Sequence, residues 1–288
     1  MSFLTSVYED LPTLAAVYAL TAIAQGPLKS RQGALPCLVP ALSFSYACCG
    51  HANKTIADAA QECASVLCKV LVANEPLLPR CLEALVSNCD QVFKLPLSLS
   101  TLDSIRGSVA ALKVVVKAQE KAPRELAACL PTLMPKLTLC VIDTNQKVAA
   151  IAKKAIEGAL KVANNKDFAP FLTNYVDCII DPSGIPELID PLGGVVFTQP
   201  IDSPALAVMV PLLVLGLRED NSMAVKRTTV AIMGAMFTLS NDPVVHVPML
   251  LPLLPGLEAV AAGSEIDAES RAICDGVIQQ LLPVQAMV

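Results

Sequence analysis

AVMVPLLVLGLREDNSMAVKRTTVAIMGAMFTL, residues 207–239, is two apolar runs parted by the charges of Arg218, Glu219 and Asp220. An interrupted membrane helix, two strands, or two buried helices joined by a turn would each use such a pattern. A bilayer span needs about 20 consecutive apolar residues. The uncharged stretch 204–217 has 14, with Pro211 and Gly216 inside it. Strands half-buried in a sheet alternate apolar and polar side chains, and that alternation is absent. Past the charges, Val225, Thr229, Ile232, Met233 and Met236 fall at offsets 0, +4, +7, +8 and +11, the apolar stripe of an amphipathic helix. Two buried helices remain, with residues 218–221 as the solvated turn between them.

The same stripe recurs along the chain. It is carried by Ile56, Ala60, Cys63, Ala64 and Leu67, by Val148, Ala152, Ala155, Ile156 and Ala159, and by Ile185, Ile189, Leu192, Gly193 and Val196. A fourth version, Ile105, Val109, Leu112 and Val116, breaks at Lys113. The anchors are 49, 43, 37 and 40 residues apart. Between them lie short apolar stretches built around Pro40, Pro79, Pro135, Pro170, Pro211 and Pro252. Proline is tolerated in a helix's first turn, where its missing N–H had no partner, so each stretch is expected to be a second helix with its proline near the start. Two helices every forty or so residues is the HEAT or armadillo period. The expected fold is all-α, a superhelical α-solenoid of six to seven helical hairpins forming one array over residues 1–288. The wide gap between Pro79 and Pro135 predicts an irregular loop at about 91–101.

Apolar residues make up 54% of the 288 and charged ones 16%, against about 25% charged in ordinary soluble domains. Helices must therefore cover one another or a partner. The N-terminal apolar stretch follows Glu9 and Asp10, with no Lys or Arg before Lys29, so neither a cleaved targeting segment nor a transmembrane span is expected. Eleven cysteines contain no C-x-x-C pair and the chain has two histidines. That spacing fits no zinc site, and the thiols are expected to be small buried hydrophobes in a reducing compartment. No metal and no cofactor are expected. His51 and His246 are each expected at the surface near a helix start. Catalytic signatures are absent, so no catalytic residue is proposed. Gly193 and Gly194 sit inside a helical ladder, where glycine lets helices approach closely.

Beyond the generic repeat, the stretch 168–282 carries a specific set of motifs. They run from F-x-P-x-L at Phe168–Leu172 through Asp181-Pro182, Ile185-Pro186-Glu187 and Leu192-Gly193. They continue with M-V-P-L-L at Met209–Leu213, Gly216–Glu219, Lys226-Arg227, the proline-broken Leu253–Leu257 and D-A-E-S-R at Asp267–Arg271. This stretch resembles the HEAT region of the fungal-type translation elongation factor 3 family and the corresponding segment of the giant general-control translational activator. The likeness extends back to about Arg124 and is architectural before that. It implies an array placed ahead of a four-helix bundle and two ATP-binding cassettes, in a cytoplasmic factor that helps deacylated tRNA leave the ribosomal exit site. No G-x-x-x-x-G-K-[ST] loop is present, so ATPase activity is not carried over. The chain is expected to be either a fragment of such a factor or a stand-alone binding scaffold.

Net charge is −5, so DNA is not an expected partner. The charge is uneven: residues 106–166 hold eleven Lys/Arg against four Asp/Glu, and residues 167–288 hold four against fourteen. Lys147, Lys154 and Lys161 recur every seven residues beside the Val148 ladder, with Lys153 and Lys166 nearby. With Lys226 and Arg227 they form the candidate surface for ribosomal RNA or a partner; the alternative is an ordinary solvated helix face. The expected function is a non-catalytic scaffold that binds the ribosome (rRNA and ribosomal proteins) or a translation-associated cassette ATPase in elongation or its regulation. Protein partners are expected along a concave face. The competing reading is a structural adaptor subunit of another stable assembly, membrane-associated or not, which the low charge and apolar C-terminal segment would suit.

Overall fold

The computed structural model describes residues 2–26, 36, 38–93, 105–240 and 243–285. They form fifteen α-helices: α1 (Ser2–Gln25), α2 (Leu38–Cys48), α3 (Lys54–Leu71), α4 (Leu78–Val86), α5 (Cys89–Val92), α6 (Arg106–Lys121), α7 (Pro123–Val141), α8 (Gln146–Ala163), α9 (Tyr175–Ile180), α10 (Ile185–Gly193), α11 (Ser203–Gly216), α12 (Met223–Thr238), α13 (Pro243–Leu250), α14 (Leu254–Ala262) and α15 (Ala268–Gln285). Among the described residues the one β feature is an isolated parallel bridge between Ile201 and Ser240. The fold is all-α and of HEAT type. Beyond Phe93, the loop expected at 91–101 lies outside the described residues.

The chain divides into two compact units, residues 1–158 and 159–288, with the boundary falling in the sequence of α8. In the first, α1, α3 and α6 lie side by side in one layer and α2, α4 and α7 in another. In the second, α10, α12 and α15 form one layer, while α9, α11, α13 and α14 form the other. Helical hairpins tie the layers together, and each core lies between them.

Residues 207–239 fold as expected. α11 is capped by Asp202, whose Oδ1 accepts from the Ala205 N–H at 2.9 Å, and α12 by Ser222, whose Oγ accepts from the Val225 N–H at 3.3 Å. At the turn Asn221 Nδ2 donates to the Leu215 and Gly216 carbonyls at 2.7 and 3.2 Å. Carbonyls at a helix end lack an i+4 donor; Leu215 also accepts from the Arg218 N–H at 3.3 Å, so Asn221 adds a second donor there. Arg218 pairs with Asp220 at 3.0 Å on the exposed side.

The ladders of α3, α8 and α12 are buried at every position named above. Three expectations need correction. The α6 stripe is one residue out of register: Val109 and Val116 are only half-buried, whereas Ser108, Ala111, Leu112 and Val115 are fully buried. Ser108 hid the register because it is polar. Its Oγ donates to the Val92 carbonyl at 2.6 Å and its N–H donates to Gln61 Oε1 at 3.1 Å, so a hydroxyl sits in the core without an unmet bond. Lys113, the apparent exception, is simply exposed. The Ile185 ladder also stops early. α10 ends at Gly193, and Val196 is 81% exposed, because Pro191 and the two glycines end the helix.

The proline rule holds at Pro40 and Pro79, which lie in the first turns of α2 and α4. Pro170 and Pro252 sit in short 3-10 turns leading into α9 and α14. Pro135 and Pro211, however, lie inside α7 and α11, whose first-turn prolines are Pro123 and Pro204. Beside the Pro211 interruption, the buried Tyr175 hydroxyl donates to the Val208 carbonyl at 2.6 Å.

Close approach of stacked helices is built into small residues. A Cβ on Gly193 would lie 2.3 Å from Thr228 Cγ2, so this glycine brings α10 against α12, as its place in the ladder suggested. Gln61, 4% exposed, bridges α3 to the start of α6. Gln61→Leu leaves the Ser108 amide buried without an acceptor, and we expect a loss of about 1–3 kcal/mol in urea unfolding. A variant as stable as the parent would show that another group accepts that amide.

Candidate functional site

α8 begins with Asn145, whose Oδ1 accepts from the Lys147 N–H at 3.1 Å. It ends at Asn164, which takes φ 46°, the left-handed turn that asparagine tolerates at helix C-termini. Between these ends Val148, Ala152, Ala155, Ile156 and Ala159 are fully buried. Lys147, Lys154 and Lys161 are all exposed. Seven residues are nearly two helical turns, about 10 Å of rise, so the three lysines follow one edge of the helix. Lys153 is half-buried and engaged within the chain.

Lys166 lies past the helix end. Its N–H donates to Gln199 Oε1 at 2.8 Å while its side chain is exposed. Beside it, Asp167 accepts from the N–H groups of Gln199 and Thr198, both at 2.7 Å, and from the Thr198 hydroxyl at 2.9 Å. These donors hold its carboxyl below the usual range, Gln199 first.

The other two candidates are engaged in contacts within the chain. Lys226 Nζ donates to the Glu219 carbonyl at 3.1 Å. Arg227 lies with Nε 3.2 Å from Asp267 Oδ2, and its Nη2 donates to the Glu265 carbonyl. Asp267 in turn caps α15 by accepting from the Ser270 N–H at 2.8 Å and the Ser270 hydroxyl at 2.9 Å. The K-R and D-A-E-S-R motifs are thus two halves of one clasp joining α12 to α15, a pairing that sequence spacing cannot show.

His246 is not at the surface. It is 2% exposed, with Nε2 3.1 Å from Ser203 Oγ and Nδ1 hydrogen-bonded to Ser240 Oγ. Apolar side chains including Leu206, Leu213, Met233 and Leu250 close around it. This is a Ser–His contact in which the imidazole is buried and both serines are half-buried. His51 is half-buried just ahead of α3, its Nδ1 accepting from the Asn53 N–H at 3.0 Å. Among the described residues no cluster of His, Cys, Asp or Glu is placed to hold a metal. In the second unit Asp181, Asp190 and Asp220 line an open groove between α10 and the α11–α12 turn.

Of the ten described cysteines nine are buried, and none is in a disulfide. Burial pushes the Cys68 and Cys140 thiols up to about 12, and those of Cys81, Cys89 and Cys274 up to about 11. Thiolate is the nucleophile, so these sulfurs are packing groups. We expect iodoacetamide at mildly alkaline pH to modify them in the native chain no faster than the chain opens, with the part-exposed Cys129 ahead of them. Peptide mapping that finds Cys68 or Cys140 alkylated as fast natively as in denaturant would contradict this.

One apolar segment escaped the sequence reading. Residues Val245–Ala262 have the length and composition of a membrane span, and 39% of them are buried in the fold. Here they form the end of α13, a 3-10 turn that holds Pro252, and α14, so the run is not one continuous helix.

Two family models match the chain. "EF3 N-terminal HEAT repeat" matches residues 6–156 and "Elongation factor 3/GNC1 HEAT repeat" matches residues 183–287. The likeness therefore extends through the N-terminal half, where only architectural similarity was expected. Elongation factor 3 of Phytophthora infestans is 30% identical over 236 residues, 82% of this chain and 21% of that protein. Elongation factor 3A of Saccharomyces cerevisiae is 32% identical over 238 residues, again 82% and 21%. Elongation factor 3 of Gonapodya prolifera is 32% identical over 176 residues, 61% of this chain and 16% of that one. The chain spans about a fifth of the length of these curated relatives. With both family models placed on an all-α repeat fold, the chain belongs to the elongation factor 3 HEAT-repeat family.

Proposed function

We propose that this chain is a ribosome-docking HEAT scaffold working in translation elongation in the cytoplasm, and that it performs no chemistry itself. What carries the reading is the pair of family matches over residues 6–156 and 183–287. The exposed lysines of α8 supply an RNA-facing surface, since each neutralised phosphate releases counterions. Lys166 is exposed in the second unit and is a further candidate contact, while Lys226 and Arg227 serve the fold. The acid-lined groove of the second unit suits basic ribosomal proteins or a cassette ATPase. Sedimentation of the purified chain with ribosomes tests the proposal. Co-migration at low salt and release at high salt is the expected result, and failure to sediment at any salt would refute it.

A second reading, a structural subunit of another assembly, draws on the span-like segment Val245–Ala262 and on exposed Val245, Val196 and Leu282. It predicts flotation with membranes or co-purification with an unrelated complex in place of ribosomes.

A further inference from the structure

Lys147 and Lys154 of α8 share the first unit with Lys113 of α6. Moving the α6 register by one residue puts Lys113 on the side opposite the buried Ser108, Ala111, Leu112 and Val115. α6 is joined to α8 by Gln119, whose Nε2 donates to the carbonyls of Lys154 at 3.2 Å and Ala155 at 2.9 Å. Gly158 makes room for it, since a Cβ there would lie 1.9 Å from Gln119 Oε1. The backbone of Lys154 is thereby tied to the neighbouring helix.

Other cations nearby are already committed. Lys121 pairs with Glu75 at 2.8 Å and Lys136 with Asp90 at 2.7 Å. Glu75 is held below the ordinary carboxyl range by Lys121 first and also by Lys117. Lys113, Lys147 and Lys154 remain exposed, and no ion pair holds them among the described residues. The exposed acids Glu120 and Glu157 stand on the same two helices.

Neither α6 nor α8 contains a Phe, Tyr, Trp or His. Proteins that bind single strands stack bases on aromatic side chains, so this surface has no platform for unpaired bases. It offers point charges on locked helices, the arrangement that suits the fixed phosphate array of a duplex. Double-stranded RNA is recognised by shape and backbone. We infer that the RNA contact proposed above is made to the phosphate backbone of duplex RNA, by Lys113 on α6 together with Lys147 and Lys154 on α8, with Gln119 as the residue that holds the two helices in register. The inference rests on the RNA reading of α8.

The test is fluorescence anisotropy of the full 288-residue chain with a labelled RNA hairpin and a labelled oligouridine of equal length. In about 50 mM salt the hairpin should bind at least about tenfold tighter. K113E should weaken hairpin binding as much as K154E and reduce the salt slope by about one. Q119A changes no charge, so it should weaken hairpin binding about threefold with the salt slope kept; a melting curve for each variant confirms that it is folded. Equal affinity for oligouridine overturns the duplex assignment. A K113E chain that binds the hairpin like the parent overturns the two-helix surface. Binding of neither RNA at any salt overturns this inference together with the RNA reading beneath it, whereas the first two outcomes leave that reading standing.

Discussion

Reversing Lys147, Lys154 and Lys161 to glutamate in one chain is expected to remove most of the salt-sensitive ribosome binding. A contact to about three phosphates weakens roughly 40-fold between 50 and 200 mM salt, from a slope of about −0.9 per phosphate. The triple variant should lose most of that dependence, keeping at most the share of Lys113, and should bind at least about 40-fold more weakly at the low-salt end. The fold should survive. All three side chains are exposed on an edge of α8 outside its ladder, and only the Lys154 carbonyl, not its side chain, receives Gln119. Lys147 lies in the first turn of α8, where glutamate suits the helix dipole; the opposite effect at Lys161 in the last turn is a few tenths of a kcal/mol. Sedimentation that stays salt-dependent in a folded triple variant would take the RNA contact off this helix.

The second large effect is on stability. Gly216 ends α11 against α12, and a Cβ there would lie 2.4 Å from Thr229 Oγ1 and 3.0 Å from its Cγ2. Thr229 has no room to turn aside: it is fully buried, β-branched, and its hydroxyl donates to the Val225 carbonyl at 2.8 Å. Gly216→Ala should therefore cost about 2–3 kcal/mol by overpacking, despite alanine's better helix propensity. Adding Thr229→Ala removes the obstructing methyl and hydroxyl, so the double variant should regain most of the loss, a non-additivity expected of side chains in contact. Urea unfolding of the four chains measures it. A harmless Gly216→Ala, or a double variant no more stable than Gly216→Ala alone, would show that the α11–α12 contact relaxes freely.

These two cases mark where the residue pattern is informative. The lysines of α8 were legible because a heptad of charge beside a buried stripe needs only helix geometry to be placed. So were the ladders at Ile56, Val148 and Val225, where every apolar position is buried. The α6 register was not, because a buried serine looks like surface until Val92 and Gln61 are seen to satisfy it. Arg227 read as a charge open to a partner, while Asp267, forty residues on, holds it. His246 read as surface because nothing local shows that Ser203, 43 residues earlier, closes on its other nitrogen. Pro135 and Pro211 mimicked helix starts whose true first-turn prolines, Pro123 and Pro204, stand earlier.

By itself the sequence determined an all-α, two-helix repeat of the elongation factor 3 kind and the row of lysines along α8, since helical period, turn charges and local spacing are properties of neighbouring residues. Tertiary structure alone decided which polar side chains are spent inside the protein: the Gln61 and Gln119 bridges, the Arg227 clasp, the enclosed His246. Each depends on a partner some thirty to fifty residues away, brought within hydrogen-bonding distance only when the helices stack.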